Sequence, residues 1–268
     1  MPLRGSSLVD RNGDNKSKFL EFFMRHFWTA VALVPLGMGS ATAADKALIK
    51  STEALHDVAA QPDPKSDFWR DALPIIMDEN SYGKPVPGYR TEVRSRWTKR
   101  NIYFLFICPY GELYLKPDPD TVHETNQLWN WDVAEVFIGS NFQNIRRYKE
   151  FEMSPRGEWM DLDINLAKAH HEDGWVWNSG FKVDARIDRV AKVWYGVMRI
   201  PLAAIDTRPS LPGNVFRVNF FRSQGPPSNP KSITWQPPMS DTFHVPGRFG
   251  LLRLVDKKSA AKCPAARP

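Results

Sequence analysis

Cysteine is nearly absent from this chain, with two in 268 residues. Neither belongs to a C-x-x-C pair or to a Cys/His cluster at metal-ligand spacing, which argues against a zinc site or a dithiol redox motif. A haem-attachment C-x-x-C-H and a glycine-rich phosphate loop are also missing. No apolar run reaches the roughly 20 residues that a membrane-spanning helix needs. Charge of one sign is scarce in the body of the chain. The formal net charge is +6, but residues 1–43 carry five basic against three acidic residues. Lys257, Lys258, Lys262 and Arg267 against Asp256 add to the excess in the tail, leaving the centre near +1. That is too little for a dedicated nucleic-acid surface.

What is present is a foldable, aromatic-rich chain. Hydrophobic residues make up 42% and aromatic residues 12%, which excludes disorder over most of the length. Residues 24–43 read as an export signal: Arg25 and His26, an apolar run from Phe27 to Met38, then Ala41-Thr42-Ala43 before a cleavage site at Ala44. This leaves 1–23 as an N-terminal extension and implies a periplasmic or secreted protein. Cys108 closes the apolar run Ile102–Ile107 and is expected as a buried thiol, with Cys263 idle in the basic tail 256–268. His170-His171 with Glu172 and Asp173 reads as a solvated loop, since adjacent side chains on a strand diverge.

Period-2 alternation dominates from residue 91. Val93, Ser95 and Trp97 alternate with charged neighbours, and Ile102–Cys108 follows after a Thr98–Asn101 turn. Val133–Gly139, Arg147–Ser154, Glu158–Asn165, Phe181–Asp188, Lys192–Ile200, Val215–Arg222 and Phe249–Val255 complete about nine strands. Ser154-Pro155-Arg156-Gly157 is a hairpin turn. Leu48, Leu55 and Val58 sit at helical spacing, so a short N-terminal helix is expected over Ala47–Ala59, with a helical turn at Leu202–Ile205. The expected fold is all-β: a jelly-roll-like sandwich of two antiparallel sheets. It occupies 67–255 as one domain, preceded by an N-terminal segment, 44–66.

Ten tryptophans exceed what such a core needs. Trp97, Trp159 and Trp194 read as packing residues. Trp129, Trp131, Trp175, Trp177 and Trp235 fall at loop–strand boundaries, where flat rings suit the C–H faces of sugars and nearby polar groups suit their hydroxyls. Five patches in order then carry a resemblance. They are Trp129-x-x-Asp132-x-x-Glu135-Val136-Phe137-Ile138; Tyr148-x-x-Phe151-Glu152-x-x-Pro155-x-Gly157; Val197 with Ile200-Pro201; Arg217-Val218-Asn219-Phe220-Phe221-Arg222; and Trp235-x-Pro237 with Phe243-His244-x-Pro246-x-x-Phe249-Gly250. Over residues 67–255 the chain resembles family 9 carbohydrate-binding modules, domains best known beside xylanases.

The resemblance implies a non-catalytic module that grips the ends of xylan- or cellulose-type glycans between two aromatic rings, alongside exported glycoside hydrolases. Trp129 matches one ring. Phe243 stands where the second is usually Trp. Glu135 matches a hydroxyl-binding carboxylate and Asn219 an amide position, while Glu152 replaces a basic residue. Arg222 is placed to pair with Glu135 or Glu152, or to bond the sugar with them. The family's structural calcium makes Asp118, Asp120, Asp161 and Asp163 candidate ligands, although Asp161 and Asp163 read better as solvent-facing. Two other readings stand beside it. One is a glycoside hydrolase using Glu135 and Glu152; the other is a haem-binding redox sandwich ligated from among Met153, Met198 and His244.

Overall fold

The computed structural model describes residues 47–257. The expected extension, export signal and most of the basic tail, with Ala44 and Cys263, lie outside the described residues. Twelve strands are present among the described residues. They are β1 (Leu48–Glu53), β2 (Pro74–Met77), β3 (Thr91–Trp97), β4 (Asn101–Pro109), β5 (Val133–Gly139) and β6 (Arg147–Met153). After these come β7 (Trp159–Asn165), β8 (Lys182–Asp188), β9 (Val193–Pro201), β10 (Val215–Gln224), β11 (Lys231–Thr234) and β12 (Gly250–Val255). A single helical turn, α1 (Leu202–Ile205), follows Pro201, where the sequence places it.

Two separate antiparallel sheets are not what forms. The strands make one hydrogen-bonded path, β7-β6-β5-β10-β12-β1-β3-β4-β9-β8, with β11 on β10 and β2 on β3. The path curls back on itself into a nearly closed, barrel-like body. At its two ends, Trp159 on β7 meets Phe181 just before β8, ring centroids 5.6 Å apart. Across the interior, Phe104 of β4 meets Phe220 of β10 at 5.3 Å.

The seam that joins the two halves is β1, and it corrects the expected helix. β1 pairs in parallel with β12, from Leu48 opposite Leu251 to Thr52 opposite Val255, and in parallel with β3. The helix-spaced Leu48, Leu55 and Val58 are all exposed, whereas Ser51 and Thr52 are buried. Backbone pairing on both edges satisfies this segment's amides in a way that an isolated short helix does not. Side chains add to it: Ser51 and Ser95 hydroxyls lie 2.8 Å apart, and the buried Arg96 donates to the carbonyls of Thr52 and Glu53. All nine expected strands are found. The three missed, β1, β2 and β11, are polar or four residues long, too short for periodicity to register.

The hairpin turn behaves as expected, with Gly157 at φ 86° and the Ser154 amide donating to the Glu158 carbonyl at 2.9 Å. Cys108 is a free, fully buried thiol. Gly196 on β9 packs directly under Met153 of β6. A Cβ there would stand 2.8 Å from the Met153 sulfur on β6 and 2.9 Å from the Trp194 ring. Overpacking of this kind costs about 1–3 kcal/mol, so Gly196→Val is expected to lower the urea midpoint by a corresponding amount, read by tryptophan fluorescence.

Alternation gives β5, β6 and β10 two buried faces. Ala134, Val136, Ile138, Phe151, Met153, Phe216, Val218 and Phe220 enter the main core. Val133, Phe137, Tyr148 and Phe221 point the other way, joining Met160, Leu162 and Ile164 of β7 in a second cluster. Loops bearing Leu128, Trp129, Trp175, Phe243 and Phe249 roof this second face.

Candidate functional site

Between that face and its roof lies a cleft of about 550 Å³ lined by Trp129, Glu135, Phe137, Glu150, Phe243 and His244 among others. A second lobe of about 420 Å³ adjoins it, and Trp129, Ser223, Asp241 and Phe243 line both. Trp129 is carried by a 3-10 turn, Leu128–Asn130, entered through Gln127 at φ 61°. Phe243 lies flat on Phe221 of β10, centroids 4.3 Å apart and planes 7° apart. The two expected aromatic walls therefore border one opening, each half-buried.

The floor is acidic. Glu135 on β5 stands opposite Glu152 on β6, and Glu150 stands opposite Phe137, so all three carboxylates share one face of the sheet. All three are buried. Glu135 accepts from the Ser223 hydroxyl at 3.3 Å, while Glu150 Oε2 and both Glu152 oxygens have no hydrogen-bond partner. Burial, then the charge of Glu150, pushes Glu135 well up. Burial, then the neighbouring carboxylates, does the same to Glu152. Burial raises Glu150 to about 7.

His244 packs against Phe137, centroids 5.1 Å apart, and edge-on to His171 at 4.4 Å. Its Nδ1 is 2.6 Å from the Tyr148 hydroxyl, and its Nε2 is 4.0 Å from Glu150 Oε2. Burial, then His171, holds His244 down to about 4, so the ring is neutral at physiological pH. The expected solvated loop at His170–Asp173 thus sends His171 into the cleft wall.

Other sequence-selected residues have different roles. The amide of Asn219 bonds the Gln236 carbonyl at 2.8 Å and its oxygen accepts the Gln236 amide at 3.1 Å, which fastens the segment behind the cleft. Arg222 shares the inner face with Phe220, lying over the Tyr89 and Trp194 rings and bonding Thr91 and Gln224. It does not meet Glu135 or Glu152. Asp132 accepts from Tyr114, Gln224 and Gly225 and ties three loops at the rim. Glu150 escaped the sequence reading, although its i, i+2 spacing from Glu152 was a usable sign that both face one way.

The calcium candidates are not brought together. Asp120 accepts from the amides of Val122 and His123, and Asp163 is bridged by Arg147 and Lys149. Asp161 is buried rather than solvent-facing and accepts from Ser179. Among the described residues no group of three or more His, Cys, Asp or Glu is placed to hold a metal. Met153 and Met198 lie in the main core, away from the face that carries His244, so the haem ligands are not assembled either.

No family model matches the chain. Among curated proteins, one described as an extracellular protein, from Arthroderma benhamiae, is 25% identical over 180 residues, covering 62% of this chain and 78% of its own. Solved structures are more informative about shape. A family 9 carbohydrate-binding module from Caldicellulosiruptor kristjanssonii in complex with cellotriose matches with TM-score 0.56 and 12% identity, covering 82% of this chain and all of its own. The same organism's module in complex with glucose matches with TM-score 0.54 and 12% identity, over 83% of this chain and all of that one. The fold is that of a family 9 carbohydrate-binding module. A candidate carbohydrate-binding protein from Bacteroides uniformis shares this CBM9-like fold, with TM-score 0.58 and 17% identity over 78% of this chain and its own full length. Among the described residues, no helix is long and apolar enough to cross a membrane.

Proposed function

We propose that this chain is an exported, non-catalytic sugar-binding module that takes glycan ends of the cellulose or xylan type into the cleft between Trp129 and Phe243. The observation that carries the reading is the shared opening. Two half-buried aromatic rings border a cleft of about 550 Å³, within the range of small-ligand sites, with carboxylates and hydroxyls beneath them. A pyranose ring presents C–H faces to Trp129 and Phe243 while Glu135 and Ser223 accept and donate to its hydroxyls. The cellotriose- and glucose-bound neighbours of the same fold support this class of ligand. The curated relative's description as extracellular supports export, as does the signal-like sequence at 24–43.

Hydrolysis is the weaker reading because of where the carboxylates sit. A glycosidase sets its two carboxyl groups on either side of the scissile bond. Glu135 and Glu152 stand side by side on one sheet wall, and only Glu135 lines the cleft.

A glycan array probed with the full chain tests the proposal. Binding to β-linked glucan or xylan oligomers is expected, weakened about tenfold or more in Trp129→Ala, a change of about 1.4 kcal/mol or greater. The half-buried ring makes that variant tolerable to the fold, which circular dichroism checks. Retention of wild-type binding by Trp129→Ala would remove the clamp from the account.

A further inference from the structure

The lining of the larger lobe is unbalanced in charge. It contains Glu135, Glu150, Glu172 and Asp241 and no lysine or arginine, in a chain whose net charge is +6. His244 does not redress this, since burial holds it neutral, and His171 lies 3.8 Å from Glu172, away from Glu135 and Glu150. Glu150 is the telling residue. It is 3% exposed and lines the cleft, and its Oε2 has no hydrogen-bond partner, the nearest cationic candidate being His244 Nε2 at 4.0 Å. Behind it both oxygens of the fully buried Glu152 are also unpartnered. A carboxylate taken out of water without a donor is expensive, and neutral sugar hydroxyls compensate two such groups on one floor less well than a cation does.

We propose that the cleft selects amino sugars: a glucosamine-type ring stacked on Trp129, with its ammonium directed at Glu150 and Glu135. This deepens the sugar-binding reading above and rests on it. An ammonium brings three donors and a full charge, and its hydrogen bonds to carboxylate are stronger than those between neutral groups. It satisfies the orphaned Glu150 oxygen directly and stabilises the charged form that burial disfavours. The indole face of Trp129 adds cation–π attraction to the same group. An uncharged hydroxyl at that ring position leaves the carboxylate cluster uncompensated, and an N-acetyl group removes the charge at the same atom.

The test is calorimetric titration of the full chain at low salt and about pH 6.5, just below the range in which simple amines lose their proton. Three trimers with the same β-1,4 linkage are compared: glucosamine, N-acetylglucosamine and cellotriose. The glucosamine trimer is expected to bind about tenfold or more tightly than cellotriose, with the advantage shrinking as salt rises. In Glu150→Gln the ratio between the two should fall to within about twofold. Equal or tighter binding of cellotriose overturns the amino-sugar inference and leaves the sugar-binding module intact. Spermidine binding as tightly as the glucosamine trimer overturns it too, because charge alone would then suffice without a ring. Failure of all three trimers overturns the sugar-binding reading itself.

Discussion

Arg222→Ala is expected to lower the unfolding free energy by about 3–5 kcal/mol, the usual consequence of removing one member of a buried charged network. The guanidinium is fully buried on the inner face, and burial lowers its pKa while Cys108 and Asp132 act to raise it. It bonds Thr91 and Gln224 and lies 5.8 Å from the Trp194 centroid. Gln224 in turn bonds Asp132 at 2.5 Å, so truncation leaves a chain of polar groups short of a partner and opens a cavity as well. Arg222→Met, which keeps the volume and drops the charge, should cost less than the alanine variant. Urea midpoints at unchanged m-value give both numbers. The sequence resemblance puts Arg222 at the sugar, whereas the structure puts it on the opposite face of β10. Folded Arg222→Met should therefore bind glycans as the wild type does, and a large loss of affinity at full folding would show that the inner face is not its place.

The second large effect is a stability that falls as pH rises. Glu150 is pushed from an ordinary 4.5 to about 7 in the folded chain, with burial the main cause. Glu124 is raised to about 7 as well, burial first, with the nearby Asp161 carboxylate adding to it. Between those values the folded state holds protons that the unfolded chain has released. Unfolding then becomes easier with each step up in pH, and the share due to Glu150 and Glu124 is lost above about pH 7. For Glu150 the shift corresponds to something on the order of 3 kcal/mol.

Of the groups with lowered values, His244, held down to about 4 by burial, gains stability as the pH rises from about 4 to its ordinary 6.5 and offsets part of the loss, whereas Asp57 acts in another window. Burial alone would raise Asp57, but hydrogen bonds from Thr98, Asn101, Arg100 and Tyr103 hold it down to about 2. Its contribution is present above its ordinary value near 4 and disappears only as the pH falls below that. Denaturation at about pH 5 and pH 8 should thus show the chain more stable at the lower pH, and Glu150→Gln should flatten the difference by stabilising the chain at pH 8. Equal stability at both values in the wild type would mean that the carboxylate floor is solvated or already compensated.

The individual strands were legible because their signal is local. Val93, Ser95 and Trp97 on β3, or the Ser154–Gly157 turn, declare themselves through spacing and turn chemistry alone. So did Trp129, since a large ring beside loop residues is conspicuous wherever the loop goes, whereas Phe243 was singled out only by the family resemblance. β1 was not legible. The helical spacing of Leu48, Leu55 and Val58 runs through and beyond it. Only the open edges of two strands distant in sequence, with Leu48 opposite Leu251 of β12 and Thr52 opposite Arg96 of β3, make an extended backbone the better solution. The number of sheets was hidden for the same reason, since β1 is the strand that joins the two halves into one path.

The site divides in the same way. Sequence by itself determined which residues carry aromatic faces, which carry carboxylates, and which neighbours on a strand share a side. Only the tertiary structure decided which side becomes the cleft. A strand buried on both faces has no polar side to mark its direction, and all seven residues of β5 are buried. Arg222 and Glu135 therefore look equally eligible on paper, yet the pleat and the β5–β10 register, with Glu135 opposite Phe221 and Arg222 opposite Ala134, send one into the cleft and the other into the core.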